Sequence, residues 1–428
     1  MISFGVIALL LVVVLGCLTL GVPIAFSLGL AGVVTILVAS GERFLVQLPL
    51  TLYRSLSDPI ILAIPLYILM GEILYRGKVG QQLFGVANVW LRRVRGGTGV
   101  AAVAAFTFFA AIVGSSMASV LTIGKIAIPE MRALGYSNRL TYGLSAVGGA
   151  LGILIPPSIP LIIYASLSNA SPGQLFTAGI IPGLLLAGLL AVWAVVAAPS
   201  MVAKDERWSL GEAIRLTLGS LPDLALPVVV LGGIYLGVYT PTEAAAVGVV
   251  YAVLLTMVAR RTVTLKDLPS ILVGATRSSA MLLAIVIGAL VLGSALTLIG
   301  LPQMLARSVT EANLSPWIVL LVMNLIWFAL GCFLEVISIL LITVPVFYPV
   351  AMAVGFDPIW FGIILVINME LAVITPPVGM NLFALKTILP NERLEEIARA
   401  AVPSVSIVLL ALALVWIFPP LALYLPGH

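Results

Sequence analysis

Apolar residues run through this chain in blocks of about 20, separated by short stretches where glycine, proline and charge collect. Blocks of that length match the hydrocarbon core of a bilayer. The strict alternation of apolar and polar positions that a membrane β-barrel needs is missing, so the pattern predicts an all-α polytopic membrane protein. Full crossings are expected near 2–20, 23–39, 58–75, 140–165 and 175–198, then near 222–238, 241–259, 278–299, 359–388 and 403–425. Two longer apolar stretches, 98–131 and 316–350, are each interrupted near the middle by a glycine, Gly114 and Gly331. Each is either two short crossings or one re-entrant hairpin.

Charge bears on that choice. With hairpins, the segments 76–97, 132–139, 199–221, 260–277 and 386–400 share one face, and together with Lys125 they hold 18 of the 21 Lys and Arg residues. That bias marks the cytoplasmic side and places both termini on the periplasmic side, with Arg43, Arg54 and Arg307 outside. Two crossings per stretch would leave only 13–19 residues for each leg, the lower limit for a spanning helix. Hairpins are therefore the favoured reading.

Composition agrees with the pattern: 62% of residues are hydrophobic and only 9% are charged. A soluble domain carries about 25% charged residues. The net charge of +4 is small and scattered, which gives no footprint for nucleic acid. Cys17 and Cys332 lie far apart in apolar segments, and the only histidine is His428, so neither a disulfide framework nor histidine chemistry is implied. The N-terminus lacks a basic region before its apolar run, and 2–20 is read as a retained crossing.

The halves repeat. Pro129, Gly135, Pro156 and Pro157 recur 220 positions later as Pro349, Gly355, Pro376 and Pro377. Gly71, Leu74, Gln81 and Leu83 recur 222 positions later as Gly293, Leu296, Gln303 and Leu305. The topology gives the copies opposite orientation, so two inverted repeats are expected, 1–199 and 222–428, joined by a cytoplasmic linker at 200–221. The first holds an arm helix at 76–97, the hairpin 98–131 and a broken helix at 140–165. The second holds the hairpin 316–350 and a broken helix at 359–388. Inverted repeats with helices broken at matching places point to the binding site of a secondary transporter.

The Pro-Pro pairs are what break those helices, because proline removes a donor and disfavours helix before it. Backbone left unpaired in hydrocarbon persists only inside protein or along a cavity. Its carbonyls can coordinate a cation, and a half-helix N-terminus can face an anion. In the first half, Ser115, Ser116, Ser119 and Ser158 stand with Pro156 and Pro157 as hard oxygen donors suited to sodium, or as small residues that let helices pack closely. In the second, Thr375, Gly379 and Asn381 face Gly331. Asn381 can bind substrate, or tie the broken helix to a neighbour. Glu335 and Glu370 are the deepest acids. Glu335 is the better candidate because it lies one turn from the hairpin tip. No arginine falls near either break, so a bound carboxylate must rely on helix N-termini and hydroxyls. Thr240, Pro241 and Glu243 read as a capping box and Asp357-Pro358 as a helix cap, both structural.

GVPIAF (21–26), GSSMAS (114–119), IPEMRALGY (128–136), IPPS with Tyr164, LFTAGIIPG (175–183), YTPTEAAAV, GFDPIWFGI (355–363) and ITPPVGMN (374–381) together cover nearly the full length. Taken together they resemble the large membrane subunit of tripartite ATP-independent periplasmic (TRAP) transporters, the DctM-like family. That resemblance implies sodium-coupled secondary active import of a small organic acid across the bacterial inner membrane by an elevator-type movement. It implies two partners, a small four-helix membrane subunit (DctQ-like) and a periplasmic substrate-binding protein (DctP-like). By the family pattern, sodium is expected at Gly114, Ser115, Ser116 and Pro157, and again at Gly331, Thr375 and Gly379. Substrate is then expected between them, near Ser116, Ser119, Ser158 and Asn381. Lys125 departs from the small or apolar residue expected there and is read as a surface residue.

A self-sufficient sodium/dicarboxylate carrier of similar architecture is the alternative within transport. An intramembrane enzyme is disfavoured, since the chain has neither Asp-rich metal motifs nor HExxH. A scaffold subunit that moves nothing would gain nothing from two interrupted crossings. The choice among C4-dicarboxylates, keto acids and sugar acids stays open.

Overall fold

A computed structural model describes residues 4–199, 209–376 and 379–427, all helix and connection with no strand among them. Pro377 and His428 lie outside the described residues, as does the 200–208 part of the expected linker. Seven helices are long and apolar enough to cross a bilayer, or eight if the pair Leu210–Gly219 and Leu221–Tyr235, bent by 48°, is one span. Shorter apolar helices, Gly5–Thr19, Ile24–Ser40, Gly97–Val113, Pro316–Gly331 and Pro358–Ile374, complete the set.

One succession of elements occurs twice. A crossing (Pro59–Arg76), a short helix (Val79–Leu91), a hairpin (Gly97–Val113 returning over 116–133), a broken crossing (Asn138–Leu154, then Ile159–Ser168) and a crossing (Pro172–Val196) follow one another. The same order then appears as Leu268–Leu298, Leu301–Glu311, Pro316–Gly331 returning over Val336–Ala353, Pro358–Ile374 with Met380–Ile388, and Leu394–Ile417. Turns at matching places share a conformation. Gly135 and Gly355 close the two return limbs in the left-handed region at φ 78° and 83°. Lys78 and Gly300 do the same, at φ 59° and 69°, before the two short helices.

Local chemistry explains the boundaries. Ser137 and Ser158 accept backbone N–H groups of Leu140 (3.3 Å) and Leu161 (3.4 Å), so each half of the first broken crossing begins at a serine cap. Asp357 Oδ1 accepts from Ile359 and Trp360 at 2.8 and 2.9 Å. The capping box of Thr240 and Glu243 is complete, with each side chain accepting from the other's backbone N–H.

Several boundaries differ from the sequence reading. The segment 76–97 is not one arm helix: the crossing runs to Arg76, Lys78 turns left-handed, and a separate helix Val79–Leu91 follows. Trp90 at its end donates Nε1–H to Thr217 Oγ1 (2.9 Å) in a helix, Leu210–Gly219, that starts within the expected linker. Ser209 caps that helix through the N–H of Glu212 (3.1 Å), a serine-x-x-glutamate signal present in the sequence. The crossing expected from 403 starts at Leu394 and runs through Pro403, which tertiary packing on 138–154 and 358–374 sustains. The short helices 42–56 and 301–311 also escaped notice, being too polar or too short to register as crossings.

Two groups of helices are distinguishable by packing. Ile24–Ser40 lies along Leu268–Leu298, and Pro59–Arg76 along Pro241–Val253. The hairpins and broken crossings pack on one another and on 172–196 and 394–417. The crossing Asn138–Ser168 is enclosed by protein along its apolar window, so its break never meets lipid. Polar side chains join the second group internally: Asn368 Nδ2–H donates to Asn324 Oδ1 (2.5 Å), Trp327 Nε1–H to Thr343 Oγ1 (2.9 Å), and Tyr164 O–H to the Pro358 carbonyl (2.6 Å). At one end, Arg132 bonds Tyr142, Asn138 (3.3 Å) and Glu392 (2.5 Å), tying the first hairpin to the loop after the second broken crossing.

In a bilayer, helices associate by close packing, so small residues mark their contacts. A Cβ on Gly32 would stand 2.8 Å from the backbone of Val291 and Leu292. Gly32→Val is therefore expected to lower stability by about 1–3 kcal/mol, read as a fall in melting temperature in detergent. Gly188→Val, where a Cβ meets nothing within 4 Å, is expected to leave the melt unchanged.

Candidate functional site

The site begins with a hairpin whose first limb is a short apolar helix. Helix Gly97–Val113 has 17 residues, about 25 Å, and ends at Gly114 in the left-handed conformation, φ 63°. There the chain reverses at Ser115, whose Oγ accepts from the Ala118 N–H (3.5 Å), and returns over 116–133. The return limb widens into a π-helical turn at Val120–Gly124. Ser119 and Thr122 hydroxyls donate to the carbonyls of Ser115 and Ala118 (2.8 and 2.7 Å), taking up backbone acceptors beside the widened register. Single π turns of this kind collect at functional sites.

The tip meets the break. A Cβ on Gly114 would lie 2.6 Å from the Pro157 carbonyl oxygen, so only glycine permits the contact. Similarly, Gly152 and Gly149 let the backbone of Ser115 and Ser116 approach, with 3.2 and 3.0 Å from their ideal Cβ positions to the two carbonyl oxygens. Ser158 donates to the Ile153 carbonyl (2.5 Å) across the break while capping the next half-helix. The Pro156-Pro157 peptide bond is cis.

The second half is built alike with different residues. Gly331 ends the outgoing limb and touches Ala372. Glu335 takes the N-cap position of the return limb that Ser115 takes in the first half, 220 positions earlier. Helix Pro358–Ile374 stops at Thr375, which donates Oγ1–H to the Leu371 carbonyl (2.6 Å) and keeps its lone pairs free. Gly379 is left-handed at φ 52°, its ideal Cβ 3.1 Å from the Thr375 carbonyl.

Both halves open on one cavity of about 450 Å³. Gly114, Ser115, Ser116, Glu335, Val336 and Met380 line it from the hairpins and breaks; Gly71, Glu72, Tyr75 and Ser278 line it from crossings 59–76 and 268–298. Of the residues expected from sequence, Gly114, Ser115, Ser116 and Glu335 thus share this cavity. Pro157 sits behind Gly114, with Ser119 and Ser158 buried beside it and engaged in the bonds above. Gly331, Thr375 and Gly379 stand behind the second tip and break and do not themselves line the cavity. Asn381 is fully buried, and its Nδ2–H donates to the Ala146 carbonyl (2.8 Å), tying the second broken crossing to the first. Glu370 is also fully buried away from the cavity, and its carboxylate oxygens have no partner among the described residues. Lys125 is exposed. Glu72, Tyr75 and Ser278 were not anticipated. No motif marks them, and only the packing of 59–76 against 268–298 brings them to the cavity.

Among the described residues no group of three or more His, Cys, Asp or Glu stands together, and the polar atoms at the breaks are hydroxyl and carbonyl oxygens.

A doubled set of hairpins and broken crossings around one internal cavity defines a polytopic membrane permease. The chain belongs to the family described as the tripartite ATP-independent periplasmic transporter, DctM component, whose profile matches residues 11–421. It is 41% identical over 402 residues to the C4-dicarboxylate TRAP transporter large permease protein DctM of Pseudomonas aeruginosa, covering 94% of each chain. To the protein of the same name from Rhodobacter capsulatus it is 37% identical, covering 95% of this chain and 96% of the other. Among solved structures, the YdaH transporter of Alcanivorax borkumensis superposes with a TM-score of 0.62 at 16% identity, over 91% of this chain and 90% of that one, which shows the shared fold.

Two substitutions probe the site's construction. Gly114→Ala, strained by its φ and by the Pro157 carbonyl, is expected to cost about 1–2 kcal/mol in a thermal melt, whereas Gly85→Ala, with nothing within 4 Å, is expected to be neutral or mildly stabilising. Asn381→Ala removes the side-chain bond to the Ala146 carbonyl, which stays within its helix ladder, and is expected to cost about 0.5–1.5 kcal/mol in the same assay.

Proposed function

We propose that this chain is the transport subunit of a sodium-coupled importer of small organic acids, C4-dicarboxylates first among them, in the bacterial inner membrane. The observation that carries the reading is the seating of the first hairpin tip on the first break, Gly114 against the Pro157 carbonyl, with its mate from the second half across the same cavity. A break of this kind exposes carbonyl oxygens to a cation and half-helix N-termini to an anion, and both are needed for symport. Sodium would be held by backbone oxygens near Gly114, Ser115, Ser116 and Pro157, and by those near Gly331, Thr375 and Gly379. The Ser116 and Thr375 hydroxyls would assist. The acid would lie in the cavity near Ser116. Ser119, Ser158 and Asn381 would act one layer behind it, shaping the tip and break rather than touching the ligand.

The cavity lies between the hairpin group and crossings 59–76 and 268–298, and it takes the halves of those crossings nearer Arg76 and Leu268. On the positive-inside reading those halves are cytoplasmic. The arrangement is then the inward-facing one. Import would proceed by the hairpin group sliding against the other crossings, which serve as the fixed frame. The family's tripartite organisation supports a small membrane subunit and a periplasmic binding protein as partners.

An ion that binds only the native state stabilises it by about 2.7 kcal/mol at 100 times its dissociation constant. The purified protein is therefore expected to melt at a higher temperature in sodium chloride than in choline chloride at equal ionic strength. Ser116→Ala and Thr375→Ala are each expected to shrink that difference. Equal melting in both salts would remove the basis for sodium at the breaks.

A further inference from the structure

Beyond the central cavity, a second crevice separates the two helix groups at their opposite ends. Two adjoining cavities of about 460 and 260 Å³ share Leu167 and Leu290 in their walls. The smaller is the more polar in kind. Arg54, Ser55 and Asp58 face it from the segment leading into crossing 59–76, and Ser166 and Asn169 face it from the end of the first broken crossing. The crevice is therefore walled on one side by the frame and on the other by the group that would move.

Arg54 is the feature that needs an explanation. It is exposed, lines the cavity, and makes no ion pair among the described residues. The obvious partner, Asp58, spends Oδ1 on the Ile60 N–H (2.8 Å) as the cap of its own helix. Ser55, Ser166 and Asn169 side chains likewise have no hydrogen-bonded partner among the described residues. A planar guanidinium with five donors matches a carboxylate, and here it shares a wall with two hydroxyls, an amide and the Asp58 carboxylate, one oxygen of which is held by its helix cap. The central cavity has no cation in its wall, where Glu72 and Glu335 are the charged residues.

We propose that Arg54 is the centre of a carboxylate-receiving subsite at the periplasmic end of the crevice, where an organic acid is held by the fixed frame before the hairpin group carries it inward. This rests on the organic-acid reading above. The frame then offers the Arg54 guanidinium, beside the capped Asp58, where the acid arrives and the carboxylate of Glu72 where it leaves. The difference biases the acid's affinity between the two ends without any contribution from the moving group. A ligand shifts a conformational equilibrium only through such differential contacts.

Local occupancy can be read directly. Ser55→Cys, placed in a Cys17→Ser, Cys332→Ser background, is labelled in intact cells with a membrane-impermeant maleimide. Succinate, pyruvate and gluconate serve as probes against chloride at equal ionic strength, and uptake of the same acids is measured in parallel. At least one acid is expected to slow labelling. Arg54→Gln is expected to weaken that protection roughly tenfold in acid concentration, and Arg54→Lys to restore most of it. Labelling only after cell lysis, protection no better than chloride, or protection that survives Arg54→Gln would overturn the subsite. Uptake without Arg54-dependent protection would sink the subsite and leave the import reading standing. Protection without uptake would do the reverse.

Discussion

Backbone polar groups in hydrocarbon must be paired, and nearly every feature of this molecule follows from two places where they are not paired within a helix. At Ile155–Ser158 and again around Thr375–Gly379 the helical ladder stops in the middle of a crossing. Such an interruption survives only if protein surrounds it, which is why the crossing 138–168 is enclosed along its length. The hairpins provide that enclosure. The first hairpin tip brings a further helix end to the break, Gly114 lying against the Pro157 carbonyl. Glycine at Gly114, Gly149 and Gly152 lets the two sets of backbone approach within contact distance.

That constraint also explains the distribution of side chains. Where the ladder is broken, serine and threonine hydroxyls take up some of the orphaned carbonyls: Ser158 that of Ile153 and Thr375 that of Leu371. A hydroxyl used as a donor in this way still presents lone pairs, so the same residue both repairs the helix end and can face a cation. An apolar replacement would do neither. Away from the breaks several polar residues of the hairpin group join its helices to one another, Asn324 with Asn368 and Asn381 with the Ala146 carbonyl.

Much of this was legible in the sequence because proline and glycine are read by geometry. Pro156-Pro157 and Pro376 mark helix breaks whatever surrounds them, and Gly135 and Gly355 fall at equivalent left-handed turns. The capping box at Thr240 was legible for the same reason, being local. What stayed hidden depends on tertiary packing. Glu72 and Ser278 reach the cavity only because crossings from opposite halves lie side by side. Pro403 read as a helix boundary but sits inside a 24-residue helix, where neighbouring crossings hold the helix through it. Asn381 read as a substrate ligand first, with a structural tie as the alternative. Only the position of the Ala146 carbonyl assigns its amide.

The two halves share an element order but not a chemistry, and one of the differences falls at the cap of the return limb. Ser115 and Glu335 occupy the same N-cap, each at the start of a return limb and each on the wall of the cavity. Serine there caps the helix and leaves the tip neutral. Glutamate places a carboxylate at a helix N-terminus, where the macrodipole favours negative charge. A symmetric pair of tips would treat the two ends of a ligand alike. The substitution gives the cavity one neutral, hydroxyl-bearing tip and one acidic tip, so a bound anion is drawn toward Ser115 and Ser116 while a cation is drawn toward Glu335. The shared element order thus supplies the frame, and the difference at this cap adds to Glu72 in setting the cavity's charge.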